Sequence, residues 1–447
     1  MKKFLLIFLI LLFASPVWAV LSVHPTNPRY FMDRHGNIIY LTGSHTWANW
    51  VDFASPPTVF DWDAYLAFLQ GYGHNYIRLW ASETTEYIPY RYKMSGSDFD
   101  LTLINPTMLS TLRRRVQTAG ARGMYVGINL FRPDHAVQTG DWAIHPFNSS
   151  NNINSINGDT NSDGKGYETY DITPEITAIT DLQKAWIVAV VDAVNEFDNV
   201  LYEIGNEGDW SSEGWQKAMI DYLIAYQAGK TNQHPVIMSS IMNWLGGTGA
   251  VNDSALLSSN AHAVGFGGSA YGGSATINDG TKVSILDNDH FFGDTVSPKG
   301  QWIWRAFMRG HNPVLMDWYT YSNPPYCTVA EQIEMRKAMG HILYYATKMN
   351  LVRMAPSLTI SSTNYALYRV GEEYLVYQPD SGSFIVHMTV GSYFYEWFNP
   401  TDGCIGEQGT VVAEEGVNVF VPPFYPSVLY LKKPPQNATG SMGGTVQ

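Results

Sequence analysis

Between Ile38 and Met316 the chain alternates short apolar β-type runs with longer helical patterns, and few architectures absorb such a rhythm. The runs are Ile38–Ser44, Tyr76–Trp80, Met124–Phe131, Val200–Ile204, Pro235–Ser239, Ala263–Gly267, Val283–Leu286 and Pro313–Met316. Helical spacing falls at about 62–73, 107–122, 179–198, 215–229, 299–310 and 328–349. In the third of these, Leu182, Trp186, Ala189, Val190, Ala193, Val194 and Phe197 share one face; the last opens with a Thr328/Glu331 capping pair. Eight strands interleaved with helices predict an α/β fold of the (β/α)₈ TIM-barrel type. A doubly wound sheet gives a similar alternation, but no Gly-rich phosphate loop opens any helix here.

The flanks read differently. Residues 1–19 carry a basic start, a short apolar run and small residues before a cut after Ala19, the pattern of a secretory signal. This predicts a secreted or periplasmic protein with no membrane contact after cleavage, since no later stretch is apolar enough to span. Residues 29–43 read as a hairpin turning at His35-Gly36-Asn37, opening a barrel domain over 20–356. From 357 to 433 the period falls to two: Tyr374–Gln378, Ser383–Val390, Tyr393–Asn399, Val417–Pro422 and Val428–Lys432 predict a small antiparallel β-sandwich. No Gly/Ser/Pro linker precedes it, so it is expected to pack on the barrel, with Phe384, Val386, Met388 and Val390 as one apolar face. Residues 434–447 are expected to form a flexible tail.

Charge narrows the partners. The net charge is −13 and only 15% of residues are charged, against roughly 25% in ordinary soluble domains. An acidic chain does not track phosphates, which excludes nucleic acid as the main partner. Aromatic residues reach 14%, and surplus Trp and Tyr suit flat sugar rings. An oligo- or polysaccharide partner and a monomeric state are expected. Two cysteines, Cys327 and Cys404, leave a domain-clamping disulfide and two free thiols equally open.

A (β/α)₈ barrel places its chemistry at the C-terminal ends of the strands. Those ends hold His45 and Trp47, Arg78 and Trp80, Asn206 and Glu207, Asp287, Asp289 and His290, and Asp317 with Trp318. Paired carboxylates among aromatic walls are what glycoside hydrolysis needs: one protonates the leaving oxygen, and the other attacks or activates water. No HExxH-type metal pair is present, and no cofactor is expected. Glu203, inside the fourth strand, reads as a structural partner for a barrel arginine. The loop over 132–178 is long enough to form a cleft wall. Within it Asp159, Asn161 and Asp163 make the first half of a calcium-loop pattern, a possible structural calcium site. The twelfth position holds Tyr170 instead of an acid, which favours a solvated turn.

Asn206-Glu207 after Val200-Leu-Tyr-Glu-Ile resembles the Asn-Glu motif of clan A retaining glycosidases. With Tyr30–Trp47 and Lys282–Asp289, the chain is similar to apiosidase-like barrel glycosidases. Tyr374–Asp380, Glu396–Pro400 and Pro422-Pro-Phe resemble the sandwich of "collagen-binding" type attached to such barrels, although nothing in the composition points to collagen. The resemblance implies a glycosidase with Glu207 as general acid/base, Asn206 on the sugar 2-hydroxyl and Arg78 beside the nucleophile. His45, Trp47, Trp80, His290, Asp317 and Trp318 are expected around the substrate. Where those families carry a glutamate on strand seven, this chain offers Asp289, read here as the nucleophile of a retaining reaction with carboxyls about 5–5.5 Å apart. Asp287 is read as its support, and Asp317, one strand further from Glu207, as the alternative suited to inversion. The rival reading is a degenerate barrel that binds carbohydrate or protein without turnover.

Overall fold

The computed structural model describes residues 20–46, 49–54, 57–80, 83–173, 175–242, 253–266, 276–288, 300–319 and 327–434. The signal segment, the tail from 435, Trp47, Asp289 and His290 lie outside them. Eight parallel strands form one sheet in sequence order: β1 (Gly43–His45), β2 (Tyr76–Leu79), β3 (Tyr125–Phe131), β4 (Val200–Gly205), β5 (Val236–Met238), β6 (Ala263–Val264), β7 (Val283–Asn288) and β8 (Asn312–Met316). β8 pairs with β1, and the remaining seam is bridged by the Asn75 N–H donating to the Thr42 carbonyl at 3.1 Å. Helices α1 (Trp62–Gly71), α2 (Pro106–Ala121), α3 (Thr177–Val194), α4 (Glu213–Gln227), α5 (Gly300–Met308) and α6 (Val329–Lys348) cover the outside. This is the TIM barrel expected. The capping box at Thr328 and Glu331 opens α6 as its sequence requires.

The expected first strand divides. Ile38–Ile39 pairs back on Phe31–Met32 as a hairpin with Gly36 at φ 78°, and only Gly43–His45 enters the barrel. The hairpin plugs one barrel end, where Phe31 and Leu41 join Tyr76, Leu201, Val283 and Val314 in one apolar cluster. Packing inside the barrel is tight. A Cβ at Gly127 would stand 1.9 Å from the Tyr76 hydroxyl, so the glycine on β3 makes room for the large ring on β2.

The C-terminal unit is a sandwich with three strands more than the sequence pattern showed. A six-stranded antiparallel sheet contains β9 (Ala355–Ser357), β10 (Ala366–Arg369), β11 (Glu373–Gln378), β13 (Gly391–Phe398), β14 (Ile405–Ala413) and β16 (Ser427–Lys432). Across from it lie β12 (Phe384–Met388) and β15 (Gly416–Phe420). β9, β10 and β14 were not expected, and the unit begins at Ala355 instead of residue 357. Phe384, Val386 and Met388 face the sandwich core, but Val390 is 65% exposed because β12 ends before it. Cys327 and Cys404 are not joined in a disulfide.

The sandwich shares a core with the barrel. Trp304 on α5 stacks on Tyr377 at 5.8 Å and meets Phe398 at 5.9 Å, while Tyr345 on α6 meets Phe398 at 5.3 Å. Buried Glu396 on β13 accepts from Lys348 at 2.7 Å and from the Tyr345 hydroxyl at 2.8 Å. No helix among the described residues is long and apolar enough to cross a membrane.

A shared core predicts shared unfolding. Phe398→Ala should cost about 3–5 kcal/mol through the lost ring and the cavity it leaves. Scanning calorimetry should show one transition in the parent and one, lowered, in the variant. Two transitions, with only the smaller one moved, would mean that the units unfold separately.

Candidate active site

The strand ends converge on one open cleft. Tyr76, Ile237, Ile285 and Val314 line its apolar part, with Arg78, Trp80, Glu203, Asn206, Glu207, Ser239, Ser240, Phe266 and Asp287 supplying the polar and aromatic groups. β7 explains the last of these. Ile285 and Asp287 are two residues apart, so both point to the barrel interior.

Arg78 is the hub. The residue is 4% exposed, and its guanidinium bonds Glu203 twice, at 2.5 and 2.8 Å, Asn206 Oδ1 at 2.9 Å and Asp287 Oδ2 at 3.1 Å. Glu203 also accepts from the Ser239 hydroxyl, so it is the structural partner expected. Every member is bonded in more than one direction, as a buried charged network must be.

Asp287 receives the other support. His45 on β1, fully buried, brings Nε2 to 2.9 Å from both Asp287 oxygens, and Trp80 Nε1 donates to His45 Nδ1. Burial raises the Asp287 pKa, but His45 and then Arg78 outweigh it and hold the carboxyl below its ordinary value. The side chain is still 25% exposed to the cleft.

Glu207 stands where the strand ladder breaks. β4 ends at Gly205, and parallel pairing resumes only at Gly208 with Ile241. Between them the Asn206 N–H donates to the Phe131 carbonyl, and Glu207 takes φ 45°. That left-handed conformation costs a non-glycine residue on the order of 1 kcal/mol, and such strain concentrates at functional sites. Asp134, at the head of the loop after β3, is ion-paired to Arg132 and bonds the Asn206 side chain.

The structure thus gathers Arg78, Trp80, Asn206, Glu207 and Asp287 at one cleft, with His45 beneath them. Asp317 is corrected. It is fully buried, bonded to Arg336 on α6 at 2.7 Å and to Ser44 at 3.3 Å, which leaves no surface for a sugar or for an attacking water. Half-buried Trp318 is not among the described residues lining the cleft. Trp80 is 4% exposed, with Arg78 and Arg132 over its ring at 4.2 and 4.6 Å, so it offers a sugar little of the face expected. The sequence reading placed Asp287 among the strand-end acids only as a support for Asp289, and it missed Ser239 and Ser240. The signal was available in the phase shared by Ile285 and Asp287.

The 132–178 loop, expected as a cleft wall, contributes none of its described residues to the cleft lining and packs instead through a second buried group. Glu83 pairs with Arg91 at 2.6 Å and accepts from the Tyr170 hydroxyl, with His145 at 3.5 Å. Further out, Asp159 accepts the N–H groups of Asp163 and Gly164, and Asn161 also accepts from Asp163, closing a turn. Among the described residues no group of three or more His, Cys, Asp or Glu side chains is placed to hold a metal ion.

Known proteins with this architecture carry related descriptions. Residues 32–239 match the family model described as cellulase (glycosyl hydrolase family 5), a span that holds Arg78, Asn206 and Glu207 and ends before β7. Among solved structures, one titled glycoside hydrolase is 12% identical, with TM-score 0.62, over 93% of this chain and 97% of its own. A glycoside hydrolase family 5 structure from Bacteroides vulgatus is 12% identical, with TM-score 0.60, over 93% of each chain. At that identity the likeness concerns the fold. No curated protein matches the chain.

The buried charges set a pH dependence. Arg91 first, after burial's opposing effect, holds Glu83 below the ordinary carboxylate range; Arg132 likewise lowers Asp134, and His45 with Arg78 lowers Asp287. A lowered carboxyl stabilises the fold above its unfolded pKa of about 4, and that stability is lost as pH falls towards the folded value. Burial also lowers His74, His234 and His311 to about 4, which removes stability from about pH 6.5 downward. The melting temperature should therefore fall below about pH 6.5 and more steeply below about pH 4. Glu83→Gln should melt lower at pH 7 and show a shallower acid decline. A decline parallel to the parent's would contradict this account of Glu83.

Proposed function

We propose that this chain, whose residues 32–239 match the glycoside hydrolase family 5 model, is an exported retaining glycosidase acting on a plant- or microbe-derived glycan, with Glu207 as general acid/base and Asp287 as nucleophile. One observation carries the reading. The cleft that contains Asn206-Glu207 also contains one strand-seven carboxylate, kept ionised by Arg78 and His45 yet open to solvent. Asp289, the nucleophile expected from the sequence, lies outside the described residues, and Asp287 is preferred on its partners.

The steps follow from those partners. Asp287 Oδ2 is bonded by Arg78, leaving Oδ1 as the freer oxygen. Oδ1 attacks the anomeric carbon, the glycosidic C–O bond breaks, and Glu207 gives its proton to the leaving oxygen. Water then attacks the glycosyl ester, Glu207 takes the water's proton, and the Asp287 carboxylate leaves. Asn206 has its oxygen on Arg78, which turns its amide N–H groups towards Asp134 and the sugar 2-hydroxyl. The signal-like residues 1–19 support export, and the apiosidase-like segments support a side-chain sugar of a plant glycan.

An aspartate in place of glutamate draws the attacking oxygen back by about one bond length. Retention needs carboxyls about 5–5.5 Å apart and inversion about 6.5–9.5 Å, so stereochemistry is the sharp test. On a panel of aryl glycosides and plant polysaccharides, Glu207→Gln should lose at least ~10³-fold in kcat on unactivated substrates. Proton NMR should show the first product with retained configuration, and Asp287→Gly with azide should release glycosyl azide of inverted configuration. First product of inverted configuration, or near-parental turnover in Asp287→Asn, would overturn the assignment.

A further inference from the structure

We propose that Trp80 is a positioning residue for Asp287, acting through His45: its indole N–H dictates which imidazole nitrogen carries the proton and keeps His45 a neutral N–H donor to the attacking carboxylate. This rests on the assignment of Asp287 as nucleophile. Indole Nε1–H can only donate, so the His45 Nδ1 that it meets must present a lone pair. The single ring proton is then on Nε2, which points at both Asp287 oxygens from 2.9 Å. A second proton on Nδ1 would set two N–H groups against each other inside a fully buried contact. The two rings lie 5.2 Å apart, in contact.

The charges around the pair give the arrangement its purpose. One cation, Arg78, is shared by two carboxylates, Glu203 and Asp287, with Tyr76 beside them on β2. Arg132 stands across the Trp80 ring, committed to Asp134. From β8, His45 meets the main-chain N–H of Asp317, whose carboxylate is spent on Arg336. On β1, the neighbouring Ser44 turns to His74. An imidazolium at position 45 would neutralise this group and bind Asp287 in an ion pair, weakening its attack. A neutral donor orients the carboxylate and leaves its charge available.

Trp80→Phe separates this role from packing. Phenylalanine keeps an aromatic ring under Arg78 and Arg132 but frees His45 Nδ1 to take a proton. The variant's kcat/KM should gain an acid limb near pH 6.5, falling about tenfold between pH 7.5 and pH 5.5, where the parent shows none. In Trp80→Phe/His45→Gln the amide still donates an N–H but cannot titrate, and the limb should vanish. Should Trp80→Phe fail to fold, ¹⁵N shifts of the parent's imidazoles at pH 7.5, with His45 assigned by His45→Gln, should show an unprotonated Nδ1 beside a protonated Nε2. A Trp80→Phe profile parallel to the parent's, a limb that survives in the double variant, or an imidazolium shift in the parent would overturn the proposal. Asp287 as nucleophile stands or falls separately, on azide rescue of Asp287→Gly.

Discussion

A buried guanidinium needs anions, and Arg78 obtains two, from strands on either side of it in the barrel. Glu203 on β4 takes two of its hydrogen bonds and Asp287 on β7 takes one, while the Asn206 oxygen takes another. Taking Arg78 away would leave buried Glu203 without its counter-ion, typically at about 3–5 kcal/mol. Three strands are thereby tied in register at the end where chemistry occurs. The same contact that closes the charge account of the barrel interior also aims Asp287 and Asn206 into the cleft.

Around that hub the structure trades local comfort for position. Glu207 occupies a left-handed backbone conformation where β4 breaks, which swings its carboxylate out of the ladder and into the cleft. The strain persists because both sides are fixed: Asn206 is held by Phe131 and Arg78, and pairing resumes at Gly208. Rigidity continues outward. The sandwich buries Tyr377, Phe398 and Tyr430 against α5 and α6, so it braces the barrel's last helices.

The barrel was legible because buried parallel strands are continuous apolar runs, and those runs stand out between amphipathic helices. The strand β14 was not. Ile405–Ala413 is mostly exposed and interrupted by Gly406 and Gly409, so it lacks the alternation by which β12 was read. The site was legible to the level of strand ends. Asn206, Glu207 and Arg78 stand at the strand termini where the sequence put them, and Glu203 was read as the partner of a barrel arginine because it lies within a strand. Asp317 misled because its counter-ion, Arg336, stands on the following helix, a contact that no strand pattern displays. Asp287 and Asp289 share one phase, and sequence does not fix where a strand stops, so the choice between them needed the contacts of Arg78 and His45.

The central claim is that Asp287 forms the covalent bond to sugar. Activated 2-deoxy-2-fluoro glycosides slow the second step more than the first and so trap a glycosyl-enzyme wherever one forms. Incubation with a panel of them, followed by proteolysis and fragment mass spectrometry, locates the sugar to a single residue. The account predicts one ester, on Asp287, absent from Asp287→Gly. A label on Asp289, or steady turnover of the parent substrates with no covalent adduct from any member of the panel, would contradict it.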